Sequence, residues 1–211
     1  MIICLTGQKT NGKDTAGEII IELGTAEGIR FKRLAFADTM KIMFANSLGI
    51  YEDEIEYINS KKNDCLSDKN HDLEITYREC LINFGQSVKK HLGGDFWAHL
   101  AFSEIAPWPD IVVTDLRFEE EAEYVRNLGG YIIHLYREED QEDGTLAGEQ
   151  KLPAHLIDFE LDNTKDIPHL RQNIQNILNE ILYEHEYVEY PDGEYEEYKT
   201  HDRHLKDSDW K

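Results

Sequence analysis

The segment Gly7-Gln8-Lys9-Thr10-Asn11-Gly12-Lys13-Asp14-Thr15 constrains this chain more than any other stretch. It fits the pattern G-x-x-x-x-G-K. A short apolar run, Ile2 to Thr6, precedes it, and Ala16, Ile19, Ile20 and Leu23 follow at helical spacing. A buried strand entering a glycine-permissive loop and then a helix N-terminus makes a phosphate cradle. The backbone N–H groups wrap the anion and the helix end favours negative charge. Gly7, Lys9, Asn11, Gly12, Lys13 and Asp14 would supply that cradle, and Lys13 would reach the terminal phosphates of a nucleoside triphosphate. The hydroxyl falls one place later than in the usual pattern. Thr15 therefore either meets Mg²⁺ or touches the α-phosphate. ATP and Mg²⁺ are the expected cofactors.

The remaining pattern alternates strand with helix. Phe31 to Ala37 reads as a second strand, after which Asp38 caps a helix with Met40, Met43, Phe44 and Leu48 on one face. Tyr51 to Asp72 is polar and reads as a loop with some helix. Tyr77 to Leu92, with Leu81, Phe84, Val88 and Leu92 in register, predicts an amphipathic helix, and Phe96 to Ile105 another. Ile111 to Val113 is a β-branched run ending at Thr114-Asp115, as in a strand buried on both faces. Glu119 to Leu128 predicts a helix stopped at Gly129-Gly130. Tyr131 to Tyr136 and Phe159 to Leu161 read as strands, and Pro168 to Tyr183 as the last helix. This alternation predicts an α/β fold, one parallel sheet with helices on both faces, and the Gly7–Thr15 loop makes the expected form a P-loop NTPase architecture.

Charge and cysteine use narrow the function. Lys and Arg total 22 against 43 Asp and Glu, a formal net charge of −21. Nucleic acid is bound mainly through cation–phosphate contacts, so no nucleic-acid partner is expected. No apolar run approaches the roughly 18–20 residues that cross a bilayer, and no membrane partner is expected. Cys4, Cys65 and Cys80 match neither a disulfide framework nor a zinc spacing. Cys4 belongs to an apolar strand and is expected in the core. The first residues have no basic n-region and no small-residue cleavage site, so no signal peptide is expected. A reducing, cytoplasmic setting is the expectation, with small-molecule nucleotides as partners; a homodimer is left open.

Several later segments carry a resemblance. They are Phe36-Ala37-Asp38 with Lys41, Tyr77-Arg78-Glu79-Cys80-Leu81 through Gly85, and Asp95-Phe96-Trp97. Thr114-Asp115-Leu116-Arg117-Phe118 with Glu121-Ala122-Glu123, and Leu128-Gly129-Gly130 leading to Arg137, complete the series. With the GKDT loop, their order and spacing resemble the deoxynucleoside monophosphate kinases of the bacteriophage type over residues 1–183. His155-Leu156-Ile157-Asp158 departs from the H-x-S-E usual in that family. The resemblance implies transfer of the ATP γ-phosphoryl group to a deoxynucleoside monophosphate. It implies five parallel strands, a helical acceptor-binding region over about 50–107 and a lid over about 137–157. A phage origin, and so a host cytoplasm, also follows from resemblance. Residues 184–211 form an acidic Tyr/Glu-rich tail with a turn signal at Tyr190-Pro191-Asp192-Gly193 and no counterpart in the family.

Roles can be set out on chemical grounds. A monophosphate acceptor is already largely dianionic and needs no general base. Asp38 would then orient a Mg²⁺-bound water or the acceptor sugar, or simply cap its helix. Asp115, at a strand end, is a candidate for the Mg²⁺ shell or for capping the helix near Phe118. Arg78 and Arg117 are candidates for bidentate clamping of the acceptor phosphate, as is Lys41 more weakly. Arg137 is a candidate lid arginine at the transferring phosphoryl group. Trp97 either stacks on a base or belongs to the core. Two alternatives remain. One is a P-loop kinase with another acceptor, resembling the dephospho-coenzyme-A or phosphomevalonate enzymes. The other is a nucleotide-binding module without turnover.

Overall fold

The computed structural model describes residues 1–67, 72–105, 110–137 and 152–186. In chain order the elements are β1 (Ile2–Thr6), α1 (Lys13–Ala26), β2 (Phe31–Leu34), α2 (Phe36–Ser47) and α3 (Glu54–Lys61). Then come β3 (Cys65–Ser67), β4 (Asp72–Thr76), α4 (Tyr77–Leu92), α5 (Phe96–Ser103) and β5 (Asp110–Val113). The chain continues through α6 (Glu119–Asn127), β6 (Tyr131–Tyr136), a 3-10 turn at Ala154–Leu156, β7 (Phe159–Asp162) and α7 (Ile167–Glu186).

Five strands form one parallel sheet in the order β2-β5-β1-β6-β7. The central strand β1 is buried along its whole length, as a parallel strand covered on both faces must be. Its side chains alternate between two cores. Ile2 and Cys4 join Ile111, Val113 and Ile132 under α2, α5 and α6, where Phe36, Trp97, Phe102 and Val125 pack. Ile3 and Leu5 join Val112, Ile133, Leu135 and Leu161 under α1 and α7, where Ile20, Leu170, Ile174 and Leu178 pack. Cys4 is fully buried, as expected of a core thiol.

Helices α2, α3 and α4 form a third, smaller core of Phe44, Ala45, Ile58, Tyr77 and Leu81. Gly85 lets α4 approach α2 closely, since a methyl group there would stand 2.6 Å from Met40 Sδ. The N-terminus of α4 carries a capping box. Thr76 Oγ1 accepts from the Glu79 amide at 3.2 Å, and Glu79 accepts from the Thr76 amide at 2.7 Å. Such a cap stabilises a helix by about 1 kcal/mol.

Four expectations need correction. The second strand ends at Leu34, and α2 begins at Phe36 with Ala35 as its N-cap, so Asp38 lies in the first turn and does not cap. Asp115 does not cap the helix after it. That helix, α6, has Phe118 as N-cap and is held by Glu121, whose carboxylate accepts from the Phe118 amide at 3.3 Å. The polar stretch after Tyr51 contains α3, the helix expected there, but also a strand that was not, since Cys65–Ser67 pairs antiparallel with β4. The last helix runs on to Glu186. Most of the expected lid (138–151) and tail (187–211), including the Tyr190–Gly193 turn, lie outside the described residues.

Candidate active site

The phosphate loop has the backbone its sequence requires. Gly12 has φ 87° and Gly7 φ 139°, both in the region that favours glycine, and Thr10 shares it at φ 72°. Steric crowding adds to this. A methyl group on Gly7 would overlap the Leu135 carbonyl oxygen, and one on Gly12 would stand 2.6 Å from Asn163 Nδ2. No side-chain hydrogen bond from Gly12 caps α1, and its N-terminus faces the loop. Lys13 Nζ donates to the Gly7 and Gln8 carbonyls at 2.8 Å each, lying along the loop it serves. Asp14 and Thr15 are exposed in the first turn of α1, and Lys9 is exposed on the loop.

Two asparagines fix this loop to the sheet. Asn11 is buried and donates from Nδ2 to the Leu135 carbonyl at 3.0 Å. Asn163, just beyond β7 and 3% exposed, donates from Nδ2 to the Asn11 carbonyl at 2.8 Å. Arg137 leaves β6 beside them: its Nη2 would be 3.8 Å from a methyl group on Gly12. The candidate lid arginine thus stands at the phosphate loop. Asn163 was missed from sequence, where Asp162-Asn163-Thr164 reads only as a polar strand end.

Across the loop, α2 starts next to α1. Asp38 pairs with Lys41 Nζ at 2.8 Å and with Arg33 Nη1 at 3.3 Å. Arg33 also pairs with Asp14 through Nη2 at 3.3 Å. One guanidinium therefore ties the first turn of α1 to the first turn of α2. Arg33 was missed from sequence because a charged residue on a short strand, beside Lys32, reads only as an exposed position.

Asp115 follows β5 and reaches back to α2. Its Oδ1 accepts from the Phe36 amide at 2.8 Å and its Oδ2 from the Ala37 amide at 2.9 Å. It satisfies two of the four orphan donors of that helix and places negative charge at its positive end. Burial pushes the Asp115 pKa above its ordinary value, while the Ala37 and Phe36 amides and the Arg117 charge pull it back. The Asp38 charge adds to the rise, so the two carboxylates feel each other. Arg117 is exposed two residues on.

Lys13, Asp14, Thr15, Arg33, Asp38, Lys41, Asp115, Arg117 and Arg137 thus cluster beyond the carboxyl ends of the parallel strands, where open α/β sheets bind ligands. A protein of Acanthamoeba polyphaga mimivirus, provisionally named a deoxynucleotide monophosphate kinase, is 26% identical over 180 residues, covering 79% of this chain and 90% of that one. No family model matches the chain. Among solved structures, a dephospho-CoA kinase from Campylobacter jejuni aligns with TM-score 0.42 and 19% identity over 85% of this chain and 96% of its own. A shikimate kinase from Acinetobacter baumannii aligns with TM-score 0.43 and 16% identity over 87% and 93%.

One expected residue is not exposed to this cluster. Trp97 is 4% exposed, between Phe84 and Phe96, and its Nε1 donates to the Gly85 carbonyl at 3.3 Å. It belongs to the core, as aromatic residues at helical spacing usually do. Arg78 is exposed in the first turn of α4. In the His155–Asp158 stretch, Asp158 is structural: it accepts from the Ile132 amide at 2.8 Å and pairs with Arg126 at 2.5 Å.

Among the described residues, no helix is long and apolar enough to cross a membrane. Among them, too, no three His, Cys, Asp or Glu side chains are grouped so as to hold a metal.

Proposed function

We propose that the protein transfers the γ-phosphoryl group of ATP to the phosphate of a deoxynucleoside monophosphate. The kinase reading rests above all on Arg33 pairing with both Asp14 and Asp38, because this sets the phosphate loop beside the start of the acceptor-side helices. The deoxynucleotide acceptor is supported by the motif series and by the mimivirus relative.

The donor phosphates would lie on the amides of Gly7 to Thr15, with Lys13 exchanging its two carbonyl partners for phosphate oxygens. The bond from the γ-phosphorus to its bridging oxygen breaks, and a new bond forms to an acceptor phosphate oxygen. No proton changes hands, so the chain has only to position two anions and neutralise their charge. In this reading Arg117 and Lys41 hold the acceptor, and Arg137 meets the transferring group. Mg²⁺ in such sites is usually held by one or two carboxylates plus substrate phosphates and not by an all-protein cage. Thr15, Asp115 and Asp38 fit that pattern. Bound there, the ion would neutralise charge on the β- and γ-phosphates.

The test is ADP release from Mg·ATP with a panel of deoxy- and ribonucleoside monophosphates, alongside a Lys13→Ala control. Release with deoxynucleotides, lost in the control, is expected. Silence across the panel with ATP still bound would refute the reading.

A further inference from the structure

Glu121 has no part in the site as described, yet among the described residues it is a buried carboxylate, at 4% exposure. Its Oε2 accepts from the Arg117 amide at 3.2 Å and from the Phe118 amide at 3.3 Å. Its Oε1 pairs at 3.2 Å with Lys89, which comes from the last turn of α4. Lys89 Nζ also lies 3.0 Å from the centroid of the Phe118 ring. Helix capping accounts for the amide contacts. It does not account for an ion pair reaching to another helix and closing over Phe118, the neighbour of Arg117. Burying a carboxylate is costly unless it is well paired, and Lys89 and the amides supply that pairing.

We propose that Glu121 and Lys89 are a positioning pair that locks the Arg117 backbone to α4, so that Arg117 meets the acceptor phosphate only when α4 is seated. The arginine side chain is exposed and long, so its aim depends on the two peptide groups that Glu121 holds. The same lock joins the acceptor-side helices to the segment that begins at Asp115. The proposal rests on the reading of Arg117 as an acceptor-phosphate ligand.

Charged and titratable groups face Glu121 from each neighbouring element. Lys89 faces it from α4, Asp115 and Arg117 from the segment after β5, and Cys4 from β1, whose thiol feels the Glu121 charge. Farther along α6, Asp95 and His99 lie against Tyr124. Burial pushes Glu121 up to about 7 against the pull of Lys89 and the Arg117 amide. The lock should therefore loosen as pH falls through neutrality.

The experiment compares wild type, Glu121→Gln, Lys89→Met and Lys89→Arg. It measures KM for the accepted deoxynucleotide and for ATP from pH 6 to 8, with amide hydrogen exchange at Arg117 and Phe118. Expected at pH 8 is an acceptor KM raised about tenfold in Glu121→Gln and Lys89→Met. The ATP KM should stay unchanged and both amides should exchange faster. Lys89→Arg, which keeps the charge, should stay near wild type. The ratio of acceptor KM between Glu121→Gln and wild type should shrink towards one at pH 6, and taking this ratio cancels the nucleotide's own ionisation. Both KM values rising together, or faster amides with an unmoved acceptor KM, would overturn the proposal. If Glu121→Gln does not fold, the two Lys89 variants decide alone. A wild type that turns over no monophosphate would instead sink the functional reading, and the proposal with it.

Discussion

Asn163, at the end of the last strand, holds the phosphate loop through a 2.8 Å hydrogen bond to the carbonyl of Asn11. That bond spans nearly the whole described chain and closes beneath Gly12. Replacing Asn163 with Ala leaves a buried carbonyl without its donor, costing about 1–3 kcal/mol. The loop should loosen, so the ATP KM should rise more than the acceptor KM. Denaturant unfolding and steady-state kinetics check both.

Asp115 should matter through α2 before it matters through metal. Asp115→Asn keeps one good acceptor for the Phe36 and Ala37 amides, whereas Asp115→Ala keeps none. A lost cap costs about 1 kcal/mol. Thermal unfolding should therefore rank wild type above Asp115→Asn and Asp115→Asn above Asp115→Ala. A variant series with unchanged midpoints would show that the cap contributes nothing.

Asp38 separates the two kinds of acceptor. A general base contributes roughly 10²–10⁴-fold to a hydroxyl acceptor, whereas a phosphate acceptor needs none. Asp38→Asn should lower kcat by less than about 100-fold, because what is lost is a charge that orders Arg33 and Lys41 and would help hold Mg²⁺, and not a base. A deeper loss, with activity rescued at high pH, would point to a hydroxyl acceptor.

Glu121 also predicts how stability depends on pH. Its pKa is raised from 4.5 in the unfolded chain to about 7 in the folded one, so folding takes up a proton between those values. This contribution is full below pH 4.5 and is lost as pH rises through about 7, up to about 3 kcal/mol in all. Urea unfolding from pH 4 to 8 should show wild type losing stability over that window relative to Glu121→Gln. Parallel curves would contradict it.

The sheet and phosphate loop were legible because they rest on local pattern. Ile2 to Thr6 and Ile111 to Val113 are apolar runs of strand length, and Gly7, Gly12 and Lys13 stand at spacings few other structures require. What escaped notice depends on contacts between distant segments. Asp38 looked like a helix cap because caps are read from the residues just before a helix, whereas α2 is capped by Asp115, 79 residues later. Arg33 and Asn163 sit on or just after strands, and their roles come from the neighbours that the sheet order places beside them. Trp97 could be read as core or as base-stacking until packing put it against Phe84 and Phe96.

The most direct test of the central claim is ³¹P NMR of the products formed from Mg·ATP and the accepted deoxynucleotide. The account predicts that ADP and the deoxynucleoside diphosphate appear in equal amounts, each with coupled α- and β-phosphorus resonances. It also predicts that both vanish in Lys13→Ala, where losing one such donor costs about 10²–10³-fold in rate. ADP formed with inorganic phosphate alone, or with the γ-phosphoryl group on a sugar hydroxyl, would contradict the account.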